Sequence, residues 1–234
     1  MRAVRRLRDG AMALALAGGL TAALAACSSE GPILLHRIGA VAADSIAGPA
    51  DEAPAPQLTR AELDRIPSAT IALSVAGGPR AFLVPLADNG GYLDYRDAEG
   101  NALVMFGGGV SGTGSLGHDL QGVHYHRLDP IAHPTPLAEW PGRVHRDYQF
   151  TRRDLDEYSI TLDCVFEPVA RETIEIVEIS FDLVRVNEVC TNARRQVTNT
   201  YWVQEDTGFV WKSEQWLGPG IGHLTVEIIR PYAG

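Results

Sequence analysis

The chain has 234 residues, 20 basic and 29 acidic side chains, a formal charge of −9 and 45% hydrophobic residues. That length and content suit one ordinary core or one large β domain. Lys212 is its single lysine, so the clustered cations that grip phosphate backbones are missing and nucleic-acid binding is disfavoured.

The first 26 residues read as a signal peptide. A basic head with Arg2, Arg5, Arg6 and Arg8 precedes an apolar run from Ala11 to Leu24. That run of about fourteen residues is shorter than the roughly 20 needed to span a bilayer, and Gly18 and Gly19 weaken it as a helix. Leu24-Ala25-Ala26-Cys27 then resembles a lipobox, in which the thiol takes a diacylglyceryl group and the freed amine a further acyl chain such as palmitate. Cys27 is therefore the expected lipidation residue. Each buried methylene contributes on the order of 0.8 kcal/mol, so two or more chains anchor stably where one does not. Ser28 stands where Asp would be the usual inner-membrane retention signal, which points to the periplasmic face of the outer membrane. Cleavage removes four arginines and one aspartate with 26 residues, leaving 208 residues with a formal charge of −12.

Residues 27–57 are rich in Ala, Pro, Gly and Ser, including Pro49, Pro54 and Pro56, and read as a flexible tether. About thirty such residues have a root-mean-square span of roughly 30 Å. A β domain is expected over 58–234. Thr59-Arg60-Ala61-Glu62 matches a capping box ahead of Leu63 and Ile66, and Pro67 stops the short helix it opens.

Strand signals follow almost without interruption. Thr70–Val75, Ala81–Leu86, Tyr92–Arg96 and Leu103–Phe106 are short runs punctuated by Gly77-Gly78, Asn89-Gly90-Gly91 and Glu99-Gly100-Asn101. Ser159–Phe166, Glu172–Asp182, Leu183–Val189, Gln196–Val203, Phe209–Trp216 and Leu224–Ile229 continue the pattern, while Gln121–Arg146, with four prolines, reads as a long connection or a capping excursion. Alternation over so many segments predicts an all-β antiparallel meander forming a curved sheet, a sandwich or a partly open barrel, with the short N-terminal helix ahead of it.

Besides Cys27 only Cys164 and Cys190 remain. In an oxidising compartment the simplest state is a disulfide, whose 26-residue separation is worth roughly 3 to 4 kcal/mol in the chain-entropy picture; two buried thiols are the alternative. His118, His124, His126 and His133 cluster near Asp119 and Asp129, and His124 and His126 share a strand face. A zinc site would need a third ligand from a fixed element, so exposed polar histidines are the default, and neither metal nor cofactor is expected. Gly112 to Gly117 satisfies GxGxxG without the flanking strand and helix of a dinucleotide site. The glycines from Gly107 to Gly109 suit a tight turn or bulge. No nucleophile elbow or triad is legible. A glycan hydrolase would need two paired acids, for which Asp119, Asp129, Glu172 and Glu188 are the candidates.

Asn199 to Trp216 reads as a hairpin with its tip at Glu205–Gly208. Its aromatic residues suit a core, and Trp202, Trp211 and Trp216 could alternatively stack on sugar rings. Asn199, Tyr201, Trp202, Val203, Thr207, Gly208, Trp211, Lys212, Ser213 and Gln215 also resemble the C-terminal signature of the YjbF/GfcB family, N-x-[YF]-W-V-[DN]-x-x-T-G-x-[VI]-W-[KR]-S-x-Q, from which Gln204 departs mildly. Upstream, Ile66-Pro67-Ser68-Ala69-Thr70-Ile71 is similar to the family's I-P-[YF]-A-[ST]-I opening, and Thr113–Gly117 with Asp119-Leu120 to its T-x-G-L-x-x-D-L stretch. The resemblance implies an all-β outer-membrane lipoprotein that takes part in assembly or export of an exopolysaccharide or capsule. Its implied partners are export proteins of the same operon and the polysaccharide itself, and it implies no catalytic residue.

Overall fold

The computed structural model describes residues 58–151 and 157–233. The expected signal peptide, Cys27 and the tether lie outside them. Among the described residues the fold is nearly all β: twelve antiparallel strands, one short α-helix and a single 3-10 turn.

The helix α1 (Arg60–Leu63) is set by the expected capping box, the Glu62 carboxylate accepting from the Thr59 N–H at 2.8 Å while Thr59 Oγ1 accepts from the Glu62 N–H at 3.4 Å. The strands are β1 (Thr70–Val75), β2 (Ala81–Asn89), β3 (Tyr92–Arg96), β4 (Ala102–Phe106), β5 (Gly109–Gly114), β6 (Leu120–Tyr125), β7 (Val144–Thr151), β8 (Glu157–Ile176), β9 (Ile179–Asn192), β10 (Arg195–Val203), β11 (Val210–Trp216) and β12 (His223–Arg230).

Across the sheet the order is β5-β4-β3-β2-β1-β12-β11-β10-β9-β8-β7-β6. Every neighbouring pair is consecutive in sequence except β1 with β12, which brings the first and last strands together through Ile71 opposite Ile228 and Leu73 opposite Val226. The two outer strands, β5 and β6, are themselves consecutive, so the sheet curls until its edges meet and forms a nearly closed barrel. Side chains seal the seam: the Tyr125 hydroxyl donates to the Val110 carbonyl at 2.8 Å, and Thr113 Oγ1 accepts from the Leu120 N–H at 2.9 Å. Gly109 lies so close to the Tyr125 hydroxyl that a Cβ there would collide with it.

Two sequence expectations need correction, and a third, the tight turn at Gly107–Gly109, needs extending. Glu172–Asp182 is not one strand: a tight turn at Val177 and Glu178, with φ of 43° and 63°, divides β8 from β9. Gln121–Arg146 is trimmed at both ends, by β6 and by β7, so the connection covers 126–143. The glycines after Phe106 form the turn and then the start of β5, a strand that its sequence of Gly, Val, Ser and Thr hides.

Period-2 alternation puts Val144, Tyr148 and Phe150 of β7, Ile160, Leu162 and Cys164 of β8, and Leu224 and Val226 of β12 into the main core. A second, smaller core of Ile131, Val184, Val186, Tyr201, Val203 and Val210 closes one side. The 126–143 connection is thus a capping excursion: Ile131 is fully buried, its carbonyl accepts from the Gly108 N–H at 2.7 Å, and the Leu137 N–H donates to the Glu205 carbonyl at 2.9 Å.

Candidate functional site

The hairpin of β10 and β11 organises the chemistry of the domain, because its two faces do different things. Asn199, Tyr201 and Val203 point inward from β10, and Ser213 and Gln215 point inward from β11; all are buried. Trp202 and Lys212 sit opposite each other on the outer face and are half-buried. The hairpin turn is closed by the Gly208 N–H donating to the Gln204 carbonyl at 2.8 Å. Gly208 has φ 73°, and a Cβ there would sit on the Thr135 backbone, so the capping excursion presses on the one residue type that can be there.

Inside, the polar side chains form a single connected cluster around Arg146. Its Nε and one terminal nitrogen donate to the two oxygens of Asp129 at 3.0 and 3.1 Å, and its other nitrogen donates to Glu188 Oε2 at 2.8 Å and to the Tyr201 hydroxyl at 3.0 Å. The Tyr201 hydroxyl and the Asn199 amide also donate to Glu188 Oε2, at 3.0 and 2.8 Å. Asn199 Oδ1 then accepts from the Trp216 N–H at 2.7 Å, tying β10 to β11. Gln215 binds the Val110 N–H and the Gly108 carbonyl, each at 2.9 Å, and so links β11 to the strand at the seam. The Arg146 guanidinium also lies 5.0 Å from the centre of the Tyr125 ring.

Asp129, Arg146 and Glu188 are 0%, 1% and 0% exposed. Burial drives the Glu188 carboxyl above its usual value, Arg146 opposing that rise and Asp129 adding to it. Burial works against the charge on Arg146, yet Glu188, Tyr201 and Asp129 hold the guanidinium well above its usual range. One cation thus faces two acids: Asp129 binds it through both oxygens, and Glu188, whose Oε1 has no hydrogen-bond partner, is the carboxyl that burial pushes up. The buried Tyr125, Tyr148 and Tyr201 hydroxyls are all pushed up, first by desolvation.

On the outer face a row of polar contacts runs across five strands, β8 to β12. Glu172 accepts from Arg185 at 2.6 Å and from the Trp202 indole at 3.1 Å. Lys212 lies 5.2 Å from the Trp202 ring centre and 3.1 Å from Glu227, which Arg80 also approaches at 2.8 Å. Trp211 is the extra residue of a β-bulge, between the Trp202–Lys212 and Val203–Val210 pairs. Its indole donates to Gln204 Oε1 at 3.1 Å, and the rings of Phe181 and Phe209 flank it at 4.3 and 4.9 Å.

The residues singled out in the sequence divide accordingly. Asn199, Tyr201, Gly208, Ser213 and Gln215 are interior or turn residues, while Trp202 and Trp211 are outside. Trp216 is not available for stacking on sugar: it is 6% exposed, packed against Tyr148 and Phe150 and with the Arg195 guanidinium 5.4 Å from its ring. A disulfide joins Cys164 to Cys190, directly opposed residues of β8 and β9. Among the described residues one trio of potential metal ligands converges within 4.8 Å, Cys164, Glu188 and Cys190, and that disulfide occupies both sulfurs. His118, His124, His126 and His133 are all exposed. Asp119 caps the β5–β6 turn, accepting from Thr113 Oγ1 and from the Ser115 and Leu116 N–H groups, so the GxGxxG run is strand and turn. Of the four candidate acids only Asp129 and Glu188 meet, through Arg146; Asp119 and Glu172 lie elsewhere.

Sequence reading missed Arg146. A signal was present: Val144, Tyr148 and Phe150 occupy the buried face of β7 at period 2, and Arg146 falls on that same face.

A family model described as group 4 capsule polysaccharide lipoprotein GfcB, YjbF matches residues 21–229. The chain is 26% identical over 177 residues to the Escherichia coli K12 lipoprotein GfcB, covering 73% of this chain and 79% of that one. Its fold is similar to the crystal structure of the Escherichia coli K12 lipoprotein YmcC, with a TM-score of 0.66 and 22% identity over 88% of this chain and all of the other.

Proposed function

Because the chain belongs to the YjbF family of group 4 capsule polysaccharide lipoproteins, we propose that it is an accessory factor, without catalysis of its own, in assembly or export of a surface polysaccharide. In this reading Cys27 carries the lipid, the outer membrane holds it, and the β domain works on the periplasmic face beside export proteins of the same operon. The observation that carries the reading is that the family match runs from residue 21 to residue 229, and so spans Cys27, the residue read as the lipid acceptor, together with nearly all of the barrel. The interior chemistry supports the non-enzymatic part. Asp129 and Glu188, the two of the four acids singled out in the sequence that meet, are sealed from solvent and engaged with Arg146, where neither water nor a glycosidic bond can reach them.

The test is made in the native host. Cys27→Ala should move the protein from the membrane to the soluble periplasmic fraction and lower the amount of surface polysaccharide. Ser28→Asp should shift it from outer to inner membrane with a similar loss of output. Full polysaccharide output from either variant would remove tethering at the outer membrane from the account.

A further inference from the structure

β10 ends at Val203, which pairs with Val184, whereas β9 extends beyond that pair to Ile179. The chain leaving β10 turns away through Gln204 and Glu205, and an open cleft of about 480 Å³ remains, lined by Phe181, Asp182, Leu183, Gln204, Glu205, Asp206 and Trp211. That volume is within the range of sites for small ligands. Its aromatic wall is held in place: Phe181 and Phe209 flank the Trp211 ring, Gln204 fixes its indole N–H, and the ring stays half-exposed. Trp202 does not line the cleft; Lys212 lies over its ring and Glu172 holds its N–H. The cleft's carboxylates are fixed as well, Asp182 by the Thr173 hydroxyl at 2.6 Å and Glu205 by Arg171 at 2.7 Å.

We propose that this cleft binds a short stretch of the surface polysaccharide, with a sugar ring against Trp211 and its hydroxyls on the carboxylates of Asp182, Glu205 and Asp206. The inference deepens the proposed function and rests on it for the presence of a polysaccharide. The C–H face of a pyranose is apolar and packs on an aromatic ring, while adjacent hydroxyls donate to carboxylates, which are strong acceptors. Arg171 offsets Glu205, but Asp182 and Asp206 leave the cleft net negative, so the units taken are neutral or amino-bearing, and uronic acids are disfavoured. The unpaired edge of β9 at the same place could also receive a peptide strand, which has no use for the fixed indole and carboxylates together.

The test uses the purified lipid-free domain, followed by tryptophan fluorescence and calorimetry. The probes are oligosaccharides of about six units released by mild acid from the host's own surface polysaccharide, a chitosan hexamer and a polygalacturonate hexamer, a length that overruns the cleft at both ends so that chain termini do not limit binding. The host and chitosan oligomers should bind and the polygalacturonate should not. Trp211→Ala should weaken binding at least about tenfold, the loss of one stacked ring, while Trp211→Phe keeps most of it and Trp202→Ala changes it less than about twofold. Asp206→Arg, an exposed rim substitution, should weaken the chitosan hexamer and provides a second variant should Trp211→Ala unfold. Failure of both favoured probes to bind, equal binding by Trp211→Ala, tighter binding of polygalacturonate, or capture of a peptide strand in place of sugar would each overturn the inference. Loss of polysaccharide output in Cys27→Ala with no oligomer binding would fell this inference alone and leave the proposed function standing.

Discussion

Asp129 grips Arg146 with both carboxylate oxygens, at 3.0 and 3.1 Å, from the connection between β6 and β7. That contact fastens the capping excursion to the barrel wall, because Asp129 Oδ1 also accepts from the N–H of Ile131, the residue that fills the smaller core. The barrel therefore contains a buried ion cluster where a purely apolar interior would have been possible. Clusters of this kind cost desolvation and reward complete partnering, so losing one member is worse than replacing all of them.

The first prediction follows from that asymmetry. Arg146→Met leaves two buried acids without their cation and should cost about 3 to 5 kcal/mol, read as a lowered urea midpoint with an unchanged slope. The combined Arg146→Met, Asp129→Asn, Glu188→Gln variant removes the charges together and should be more stable than Arg146→Met alone. A triple variant less stable than the single one would show that the cluster contributes through its charges and not only through their mutual satisfaction.

The second concerns pH. Burial raises the Glu188 carboxyl above its unfolded value near 4.5, so the folded state holds that proton more tightly than the unfolded chain does. The contribution is fully present below pH 4.5 and is lost as pH rises through the raised folded value. Glu188→Gln cannot ionise, so its stability relative to the parent should improve from pH 4 upward towards neutrality. Urea denaturation of both proteins across that range checks the sign, and a difference that is flat or runs the other way contradicts it.

The third concerns the disulfide. Cys164 and Cys190 face each other across β8 and β9 and close a separation of 26 residues. Removing the link as Cys164→Ala, Cys190→Ala should cost about 3 to 4 kcal/mol through the freedom returned to the unfolded chain. The parent measured with and without reductant should show a loss of similar size, whereas the double variant should not respond to reductant.

Much of this barrel was legible. Thr70–Val75 and Tyr92–Arg96 are strands over the residues their alternation marks, because Gly77-Gly78 and Asn89-Gly90-Gly91 supply the turn chemistry that hairpins require. β5 was hidden because it offers one apolar core side chain, Val110, among glycines, of which Gly109 is held close against the Tyr125 hydroxyl. β7 was hidden because Arg146 interrupts its apolar face, and the partner that makes an arginine tolerable there, Asp129, comes from a loop no local pattern connects to it. The hairpin signature was legible as a string but not as geometry. Its residues serve opposite faces, and only the structure separates the interior Asn199, Tyr201, Ser213 and Gln215 from the exterior Trp202, Trp211 and Lys212, or shows that Trp216 is core.

The turn between β8 and β9 offers the sharpest test of what the sequence conceals. Val177 and Glu178 both have positive φ, at 43° and 63°, the conformation of a two-residue hairpin turn normally occupied by Asn-Gly. A β-branched residue is strained there, and neither Val nor Glu announces a turn, which is why an eleven-residue strand was expected across Glu172–Asp182. The pairing on either side, Ile176 opposite Ile179 and Ile174 opposite Phe181, is strong enough to impose the turn on unsuitable residues. Replacing them as Val177→Asn, Glu178→Gly keeps the register and removes the strain, so stability should rise by about 1 kcal/mol or more. Thermal and urea unfolding of the double variant measure that gain. A loss of stability instead would mean that the Val177 and Glu178 side chains contribute contacts worth more than the strain they impose.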